Sequence, residues 1–510
     1  MFIKILILLV FAVITISVGM YFRKRAASVT GFVLGGRDVG PWLSAFAYGI
    51  TYQSAVVFVG YAGQFGWKFG TAAVWIGLAT ALIGSYMPWM ILGRRTRIMT
   101  HHLKSATMPE FFGSRFNSTP LKVGAAIIIF IFLMPYTASL YNGLSRIFAM
   151  AFHVDFVYCI LGMAVLTAIY VVAGGYFATA VNDVIQGFIM IFGIVAVCAA
   201  VVSDNGGLMN SLAKLAAIEE VNAYGTPAPG VLTSFFGPDP VSILAIVILT
   251  AFGTWGLPQM VTKFYAIKST KDIPISATVS SILALVLAGG CYFHGSFGRL
   301  YGDVIERNAS GAVIYDSIVP KMLERLPDSF IGLVVLLVLA ASISTLSALV
   351  MISSSTLTLD FIKGHVVKNM DEKKQLLTIR ILLVGFIIAS TIIAIVQYKQ
   401  GIMFIAQFIG ISWGVMAGSF LAPFLYSLFW KRVTKYAVGC CFIFSTTIML
   451  LNIFSRSSFP EILQSPINTG AFAVLSGLVI VPVVSLITKA PDKAQVDNCF
   501  SCFEGTQGQS

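Results

Sequence analysis

The chain has 510 residues, of which 57% are hydrophobic and only 11% are charged. A soluble domain carries far more charge, so the composition excludes a soluble globular protein and indicates a protein that crosses a membrane many times. The net charge of +12 needs no nucleic-acid partner, because Lys and Arg collect in the segments predicted to lie on one side of the membrane.

Apolar runs long enough to cross about 30 Å of hydrocarbon recur along the whole chain. The first run is followed by the basic residues 23–25 and by no small-residue cleavage site, so it is interpreted as an uncleaved span. We predict about thirteen transmembrane helices, at roughly 2–22, 40–64, 71–93, 124–150, 156–174, 180–202, 240–262, 275–297, 330–356, 376–398, 402–430, 436–454 and 471–488.

The basic residues predict the orientation. With the N-terminus outside, the connecting segments on the inner side hold 23 of the 33 Lys and Arg residues, which satisfies the positive-inside rule. We therefore expect a multi-pass protein of the cell (plasma) membrane with a cytoplasmic C-terminus.

None of the seven Cys residues falls in a predicted outer loop, so no disulfide framework is expected. The segment after Pro491, with its lone CFSC motif, is expected to be disordered.

Two predicted spans are interrupted, and they lie five spans apart. The second span has Gly, Thr, Gln and Ser within residues 49–54, and the seventh carries Gly253, Gly256 and Pro258. Proline removes a backbone donor and frees a carbonyl one turn earlier. Breaks at corresponding positions of two five-helix halves predict an inverted-repeat transporter with its site near the midplane. The alternative is that these residues only kink the helices for packing.

Residues 340–361 carry nine Ser and Thr hydroxyls in a segment as apolar as its neighbours. On a helix, Ala341, Ser344 and Thr345 share one face, and Ser347 lies beside it. Their oxygens, together with carbonyls freed at a broken helix opposite, give about five ligands for a hard monovalent cation. Close packing of small residues is the competing interpretation of the same pattern.

Asp183 is the one acidic residue that the sequence places within a predicted span. An ionisable side chain within a membrane span costs free energy and is rare without a function, so we predict that Asp183 has a role in ion coupling. The alternative is that Asp183 caps a helix near its cytoplasmic end.

The chain resembles the sodium:solute symporter family from about Phe32 to about Phe454. The motifs that carry the resemblance are GGRDVGPW (35–42), MPEFFGSRF (108–116), GGYFATAVNDVIQ (174–186), AASISTLSALVMISSS (340–355) and APFLYSLFWKRVTKYAVG (422–439). The resemblance implies an all-α polytopic membrane protein with a Leu-transporter-type inverted repeat of five plus five core helices. The implied parts are 1–39 (first span and cytoplasmic loop), 40–202 (first repeat), 203–239 (outer loop), 240–430 (second repeat), 431–490 (two further spans) and 491–510 (cytoplasmic tail).

The resemblance also implies a sodium site. In this chain it corresponds to the backbone oxygens of Ile50, Gln53 and Ala341 and to the hydroxyls of Ser344 and Thr345. No organic cofactor and no transition metal are expected; Na⁺ is the coupling ion.

Family members that move two sodium ions have a second ion site, which Asp183 and Ser347 match here. Ala348 stands where another hydroxyl would contribute, so the ion count stays open.

The solute is less defined by the sequence. Residues 132–148 resemble the proline-carrier branch of the family, whereas residues 256–264 are similar to pantothenate and acetate carriers. No Lys or Arg is expected in the pocket. The predicted solute-binding residues are Gln53, Ser54, Tyr136, Thr254, Trp255 and Gln259.

We predict a sodium-coupled symporter that imports a small organic solute by alternating access, the candidates being an amino acid such as proline, a carboxylate, a vitamin or a sugar. Its expected partners are the solute, Na⁺ and the lipid bilayer, without an obligatory protein partner. Two alternatives remain: a proton-coupled transporter that uses Asp183, and a membrane solute sensor with the same fold. An enzyme is not expected, because the sequence offers no nucleophile–base pair and no metal-ligand cluster.

Overall fold

The computed structural model describes residues 2–222, 225–367, 369–400 and 404–506. These residues are almost entirely helical, and they form no β-sheet. The main helices are α1 (Phe2–Phe22), α2 (Pro41–Tyr52), α3 (Ala62–Phe69), α4 (70–102), α5 (Met108–Phe116), α6 (Thr119–Phe152), α7 (Phe156–Asp204), α8 (Leu208–Ala216), α9 (Pro240–Gly256), α10 (Pro258–Ala266), α11 (Ile273–Gly295), α12 (Ile318–Glu324), α13 (Asp328–Thr356), α14 (Glu372–Gln400), α15 (Ile405–Phe429), α16 (Lys435–Phe454), α17 (Pro466–Ile487) and α18 (Lys493–Phe500).

The number of spans differs from the thirteen predicted. By length and composition, ten of the described helices can cross a membrane, or eleven if the bent pair α9–α10 is one span. The run 71–93 and the second part of the run 40–64 are counted together as Val56–His102, although Gly70 (φ 58°, ψ −138°) separates α3 from α4 within it. The run 156–174 contains a helix too short to count, so the number thirteen is not confirmed. The predicted start of the eleventh run, at 402, lies outside the described residues.

Helices α13 and α15 form the centre of the bundle. In the most apolar 18-residue segment of each of these helices about 89% of the residues are buried, against 17% in that of α1. Helix α13 packs against α2, α6, α7 and α14, while α1 packs on the outside of α7. A helix that is buried on nearly all sides has no lipid-facing stripe, so the hydroxyls of α13 are enclosed by protein and bond either to neighbouring helices or to the backbone of α13 itself.

The first predicted break is present. Helix α2 ends at Tyr52, Gln53 is extended (φ −87°, ψ 102°), and helical structure resumes at Val56. Gly49 allows α2 to approach α11 closely, since a Cβ atom there would lie 3.1 Å from the carbonyl oxygen of Ser280. The packing of α2 against α11 holds the broken end in place inside the bundle.

The second predicted break is also present. Leu257 is extended (φ −77°, ψ 122°), and α10 begins at Pro258 with a bend of 41° from α9. At Gly256 a Cβ atom would lie 2.5 Å from the backbone nitrogen of Leu421 in α15. The broken end of α9 therefore rests directly on the backbone of the central helix α15.

The prediction that the segment after Pro491 is disordered is wrong for its described part. Helix α18 and a following 3₁₀ turn, Ser501–Thr506, pack on the end of the bundle near α5. Apolar side chains three and four positions apart give α18 a stripe that the neighbouring helices cover. These buried residues are Val496, Cys499 and Phe500. Residues 507–510 of the predicted tail lie outside the described residues.

We expect Gly256→Ala to lower the melting temperature of the detergent-solubilised protein. The added methyl group collides with the Leu421 backbone, and overpacking of this kind costs about 1–3 kcal/mol. Gly289→Ala in α11 is the control, because its Cβ atom would have nothing within 4 Å and alanine favours the helix. Equal melting temperatures for the two variants would contradict the close α9–α15 contact.

Candidate ion and solute site

The hydroxyl of Thr345 joins α13 to the broken end of α2. Its Oγ1 atom lies 3.0 Å from the carbonyl oxygen of Thr51 and 3.2 Å from that of Ala341, and it can donate its hydrogen to either. All three oxygens are buried, and a carbonyl freed by a helix break inside a membrane needs such a partner. Because the hydroxyl oxygen keeps its lone pairs, this cluster can also hold a small cation.

The structure brings Ala341 and Thr345 to the end of α2, as predicted. The α2 carbonyl that meets Thr345 is that of Thr51, to which the sequence assigned no role. The predicted ligand Ile50 accepts a hydrogen bond from the Gln53 backbone nitrogen at 2.9 Å, which leaves one lone pair on its oxygen. The carbonyls at 50–53 are therefore the candidate ion ligands on the α2 side.

The hydroxyl of Ser344 binds the predicted acid. Asp183 of α7 is 2% exposed, and Ser344 Oγ donates to its Oδ1 at 2.6 Å. Ser347, predicted to sit beside Asp183, instead donates to the carbonyl of Ile343 in its own helix at 2.6 Å. A helical serine can close on the carbonyl four residues earlier, and its hydrogen is then not available to a neighbouring helix. Ser344 therefore joins α13 to Asp183, one residue before the Thr345 hydroxyl that meets the α2 break.

Lys263 is a buried basic residue inside the bundle, whereas the expectation that no Lys or Arg lies in the solute pocket itself stays a prediction. This residue of α10 is 3% exposed; its ammonium lies 4.9 Å from the centre of the Tyr176 ring and interacts electrostatically with Asp183. The predicted span ends at 262, so the sequence places Lys263 in a connecting segment. The available signal was that Pro258 begins a new helix, which carries Lys263 into the bundle.

Several polar groups near the α2 break are buried without hydrogen-bond partners. Within the described residues this holds for the amide nitrogen and oxygen of Gln53, for Ser54 Oγ and for Gln259 Oε1. Leaving such a group unpaired costs about 1–3 kcal/mol, so a ligand that supplies partners for several of them together would be stabilised here. These predicted solute-binding residues offer donors and acceptors for a ligand.

Aromatic rings form the wall beside these groups. The Tyr136 ring meets the Trp413 ring edge-on, with centroids 5.7 Å apart, and the Tyr52 ring lies 5.6 Å from the same indole. The Tyr136 phenol neighbours Ser54 and Trp413, whose polar side-chain atoms find no hydrogen-bond acceptor or donor in the described chain. Trp413 was missed from the sequence; the signal was a tryptophan among small residues at 410–414 of a buried helix.

Thr254 and Trp255, predicted to bind the solute, direct their polar atoms to α4. Trp255 Nε1 donates to the carbonyl of Ile83 at 2.8 Å. The Thr254 hydroxyl can donate to the carbonyl of Gly84 at 3.0 Å or to that of Ala251 in its own helix at 2.7 Å. The hydroxyl of Tyr48 in α2 donates to the same Gly84 carbonyl at 2.9 Å. This stretch of α4 has wide π-type turns, which leave backbone carbonyls open to side-chain donors. The two predicted residues therefore fasten α9 to α4.

A cavity of about 730 Å³ opens at one end of α6, α14 and α15. Asp316, 3% exposed, lines it; its Oδ2 accepts a hydrogen bond from the Ile405 backbone nitrogen at 3.2 Å. Burial raises the pKa of Asp316, and the nearby Arg146 opposes this shift. Asn142 reaches the cavity from α6, about 9 Å along the helix from Tyr136. The cavity is thus a candidate entrance to the aromatic wall.

The α2 break meets the hydroxyl-rich central helix α13 at a buried carbonyl, and the α9–α10 break rests on the other central helix, α15. Two broken helices held in this way are typical of a secondary transporter of the inverted-repeat class. The sodium:solute symporter family profile matches residues 32–440, and the chain belongs to this family. It is a sodium-coupled solute symporter of the plasma membrane, with many spans, and not an enzyme.

Relatives of similar sequence align with almost the full chain. The osmoregulated proline transporter OpuE of Bacillus subtilis (strain 168) is 25% identical, with 94% of this chain and 93% of the relative covered. The high-affinity proline transporter PutP of the same strain is 26% identical, with 96% and 99% covered. The sodium/proline symporter of Staphylococcus aureus (strain JH9) is 26% identical, with 94% and 92% covered.

Solved structures support the fold. A Na⁺-coupled sialic acid symporter, solved in a substrate-bound outward-open state, superposes with a TM-score of 0.73 at 16% identity, covering 97% of this chain and 99% of its own. The inward-facing conformation of Mhp1 gives a TM-score of 0.52 at 14% identity, covering 90% and 94%. The predicted Leu-transporter-type fold is confirmed.

We expect Thr345→Ala to raise the sodium concentration for half-maximal uptake about tenfold, because one ion ligand and the α2–α13 hydrogen bond are lost together. Ser347→Ala is the matched control on the same helix, since its hydroxyl serves only its own backbone. Uptake is measured in proteoliposomes against sodium concentration. An unchanged sodium dependence in Thr345→Ala would place the ion elsewhere.

Proposed function

We propose that this symporter imports a small zwitterionic solute of the proline type together with one sodium ion. The observation that carries the proposal is the α2 break, where the unpaired Gln53 amide and Ser54 hydroxyl lie beside the carbonyls assigned to the ion. One structural element then serves both ligands. A site of this kind couples the two binding events without a separate relay.

The coupling follows from which helices the ion joins. Sodium between Thr345 and the α2 carbonyls ties α13 to α2, and it thereby favours the conformation in which the solute groups at 53–54 are ordered. By reciprocity the solute raises the affinity for sodium by the same factor.

The driving force is adequate for a single ion. One charge moving through 100 mV contributes about 2.3 kcal/mol. A tenfold sodium gradient adds about 1.4 kcal/mol. The sum can concentrate a solute without net charge by roughly 500-fold.

The solute class follows from the donors and the aromatic wall. The Gln53 amide nitrogen, the Ser54 hydroxyl and the Trp413 indole nitrogen are unpaired donors suited to a carboxylate. The rings of Tyr136 and Trp413 suit a compact apolar portion such as a saturated ring. The names of the relatives, which are proline transporters, favour the same class.

Lys263 supports a count of one sodium ion. Its ammonium balances the charge of Asp183, the acid at which a second cation would bind. Moving a sodium ion from water to a site without net charge costs desolvation free energy, and little Coulomb attraction offsets that cost.

We also propose that the basic connecting segments face the cytoplasm and that the 730 Å³ cavity faces outward. The positive-inside rule supports this orientation, since 23 of the 33 Lys and Arg residues fall in the segments assigned to the inner side.

Uptake into proteoliposomes tests the function. We expect radiolabelled proline to accumulate under an inward sodium gradient and not under a proton gradient alone. The panel includes pantothenate, acetate, a sugar and sialic acid as competing solutes. Accumulation of one of these instead of proline would overturn the solute class, and sodium-independent uptake driven by pH would overturn sodium coupling.

Gln53→Ala separates the two ligands. The variant loses side-chain contacts to the solute but keeps its backbone oxygen, so we expect at least tenfold weaker proline uptake with nearly unchanged sodium binding in the absence of solute. Tyr136→Ala is expected to behave in the same way. Loss of sodium binding in Tyr136→Ala with unchanged solute affinity would show that the pocket is misplaced.

Lys263→Gln tests the ion count. Without its ammonium, Asp183 is left as a buried unpaired acid that attracts a second cation. We expect the ratio of sodium flux to solute flux to rise from about one toward two. Lys263→Arg keeps the charge and should keep the ratio, and Lys268→Gln, which removes an exposed ion pair with Asp38, is the control. A ratio that stays the same in an active Lys263→Gln variant would contradict the charge balance.

A further inference from the structure

Arg115, within the MPEFFGSRF motif, has no part in the transport site. It lies near the end of α5 and is 1% exposed. Its Nε donates to the carbonyl of Ser427 at 3.3 Å, but Nη1 and Nη2 are buried with no hydrogen-bond acceptor among the described residues. A guanidinium has five donor hydrogens in a rigid fork, so most of its hydrogen-bonding capacity is unused.

Two aromatic rings flank this guanidinium. Its central carbon lies 5.1 Å from the centre of the Phe116 ring and 5.0 Å from that of Phe500 in α18. Ring faces stabilise a cation but accept no directed pair of hydrogen bonds. Burial lowers the pKa of Arg115 to about 10, so the group is still charged at neutral pH. In the described chain no carboxylate pairs with it.

Arg115 borders a cavity of about 360 Å³ between the end of α5, the start of α16 and α18. Lys435 and Lys489 line the same cavity, and neither forms an ion pair with a described acid. The one acidic residue in the lining is Asp492, whose Oδ1 caps α18 by accepting from the Gln495 backbone nitrogen at 2.9 Å. The lining therefore carries three positive charges against one negative charge.

We propose that this cavity binds a phosphate group. The two free Nη atoms of Arg115 provide the planar fork that pairs with phosphate oxygens, and Lys435 and Lys489 add the point charges at the mouth. This site is separate from the sodium and solute site and does not depend on the solute.

The surroundings of the cavity match an anionic phospholipid headgroup. Helix α16 begins at Lys435 and α17 ends at Ile487, so the cavity lies at the ends of two membrane-spanning helices. Leu486 and Ile487, next to Lys489, are 64% and 77% exposed and are free to contact acyl chains. Basic residues beside exposed apolar ones at a span end favour lipids with negative headgroups. Soluble phosphate is the other source of the same chemistry.

A phosphate bound at Arg115 would also affect how α18 is held on the bundle. The side-chain amide of Gln495 donates to the carbonyl of Arg115 at 3.3 Å, and Phe500 covers the guanidinium from the same helix. A phosphate on Arg115 would therefore neutralise the charge that α18 covers and hold this helix on the bundle.

Titration of the full-length, delipidated protein in detergent tests the site. The probes are short-chain phosphatidylglycerol, short-chain phosphatidylcholine and potassium phosphate against potassium chloride, with binding followed by thermal melting and native mass spectrometry. We expect Lys435→Gln and Lys489→Gln each to weaken phosphatidylglycerol binding about fivefold. Lys493→Gln, an exposed change on α18 outside the cavity lining, is the matched control.

The outcomes distinguish the sources. Binding of phosphatidylglycerol that potassium phosphate does not displace identifies a lipid headgroup; displacement by potassium phosphate at low concentration identifies soluble phosphate. Equal phosphatidylglycerol affinity in the wild type and in the Lys435→Gln, Lys489→Gln double variant would overturn the proposal, and so would an equal loss in Lys493→Gln. Both lysines are exposed, so these variants are expected to fold whether or not Arg115 variants do.

Discussion

The hydrogen bond from Thr345 to the Thr51 carbonyl is the contact on which the rest of the structure depends. A helix can be interrupted inside a membrane only if the freed backbone groups find partners in the protein. That requirement places a hydroxyl-rich helix opposite the break and forces it into the middle of the bundle, where lipid cannot reach its polar face. The same carbonyls that need a hydrogen-bond donor are the ligands that we propose for sodium, so one arrangement would satisfy the broken backbone and also bind the ion.

Buried charge imposes a second constraint. Lys263 interacts electrostatically with Asp183, and Asp360 forms an ion pair with Lys122 at 3.3 Å while accepting from Thr107 at 2.6 Å. An uncompensated charge in the interior costs several kcal/mol, so each acid comes with a basic partner from another helix. These pairs connect helices that are far apart in the sequence.

The sequence was sufficient for the family and the two breaks, because Gly, Pro and hydroxyl clusters in an apolar background leave a clear local pattern. It also placed Ala341 and Thr345 opposite the α2 break, where the structure has them. The sequence did not reveal that Lys263 and Asp360 are buried inside the bundle, or that the Thr254 hydroxyl lies beside the Gly84 carbonyl. Lys263 and Asp360 lie just past the ends of apolar runs, and hydropathy marks where a run ends, not where a helix does. Whether Thr254 faces a pocket or a neighbouring carbonyl depends on the rotation of α9 against α4, which a single sequence does not encode locally.

The wide turns of α4 have a consequence for how this region can vary in evolution. Donors from two broken helices, Tyr48 from α2 and Thr254 and Trp255 from α9, converge on two consecutive carbonyls of one helix. The outward side chains of that stretch, such as Leu82, are largely exposed and free to change. An inserted or deleted residue is different: it turns the following carbonyls by about 100° and releases all three donors at once. In related chains the segment that corresponds to residues 80–86 should therefore vary by substitution but keep the same number of residues.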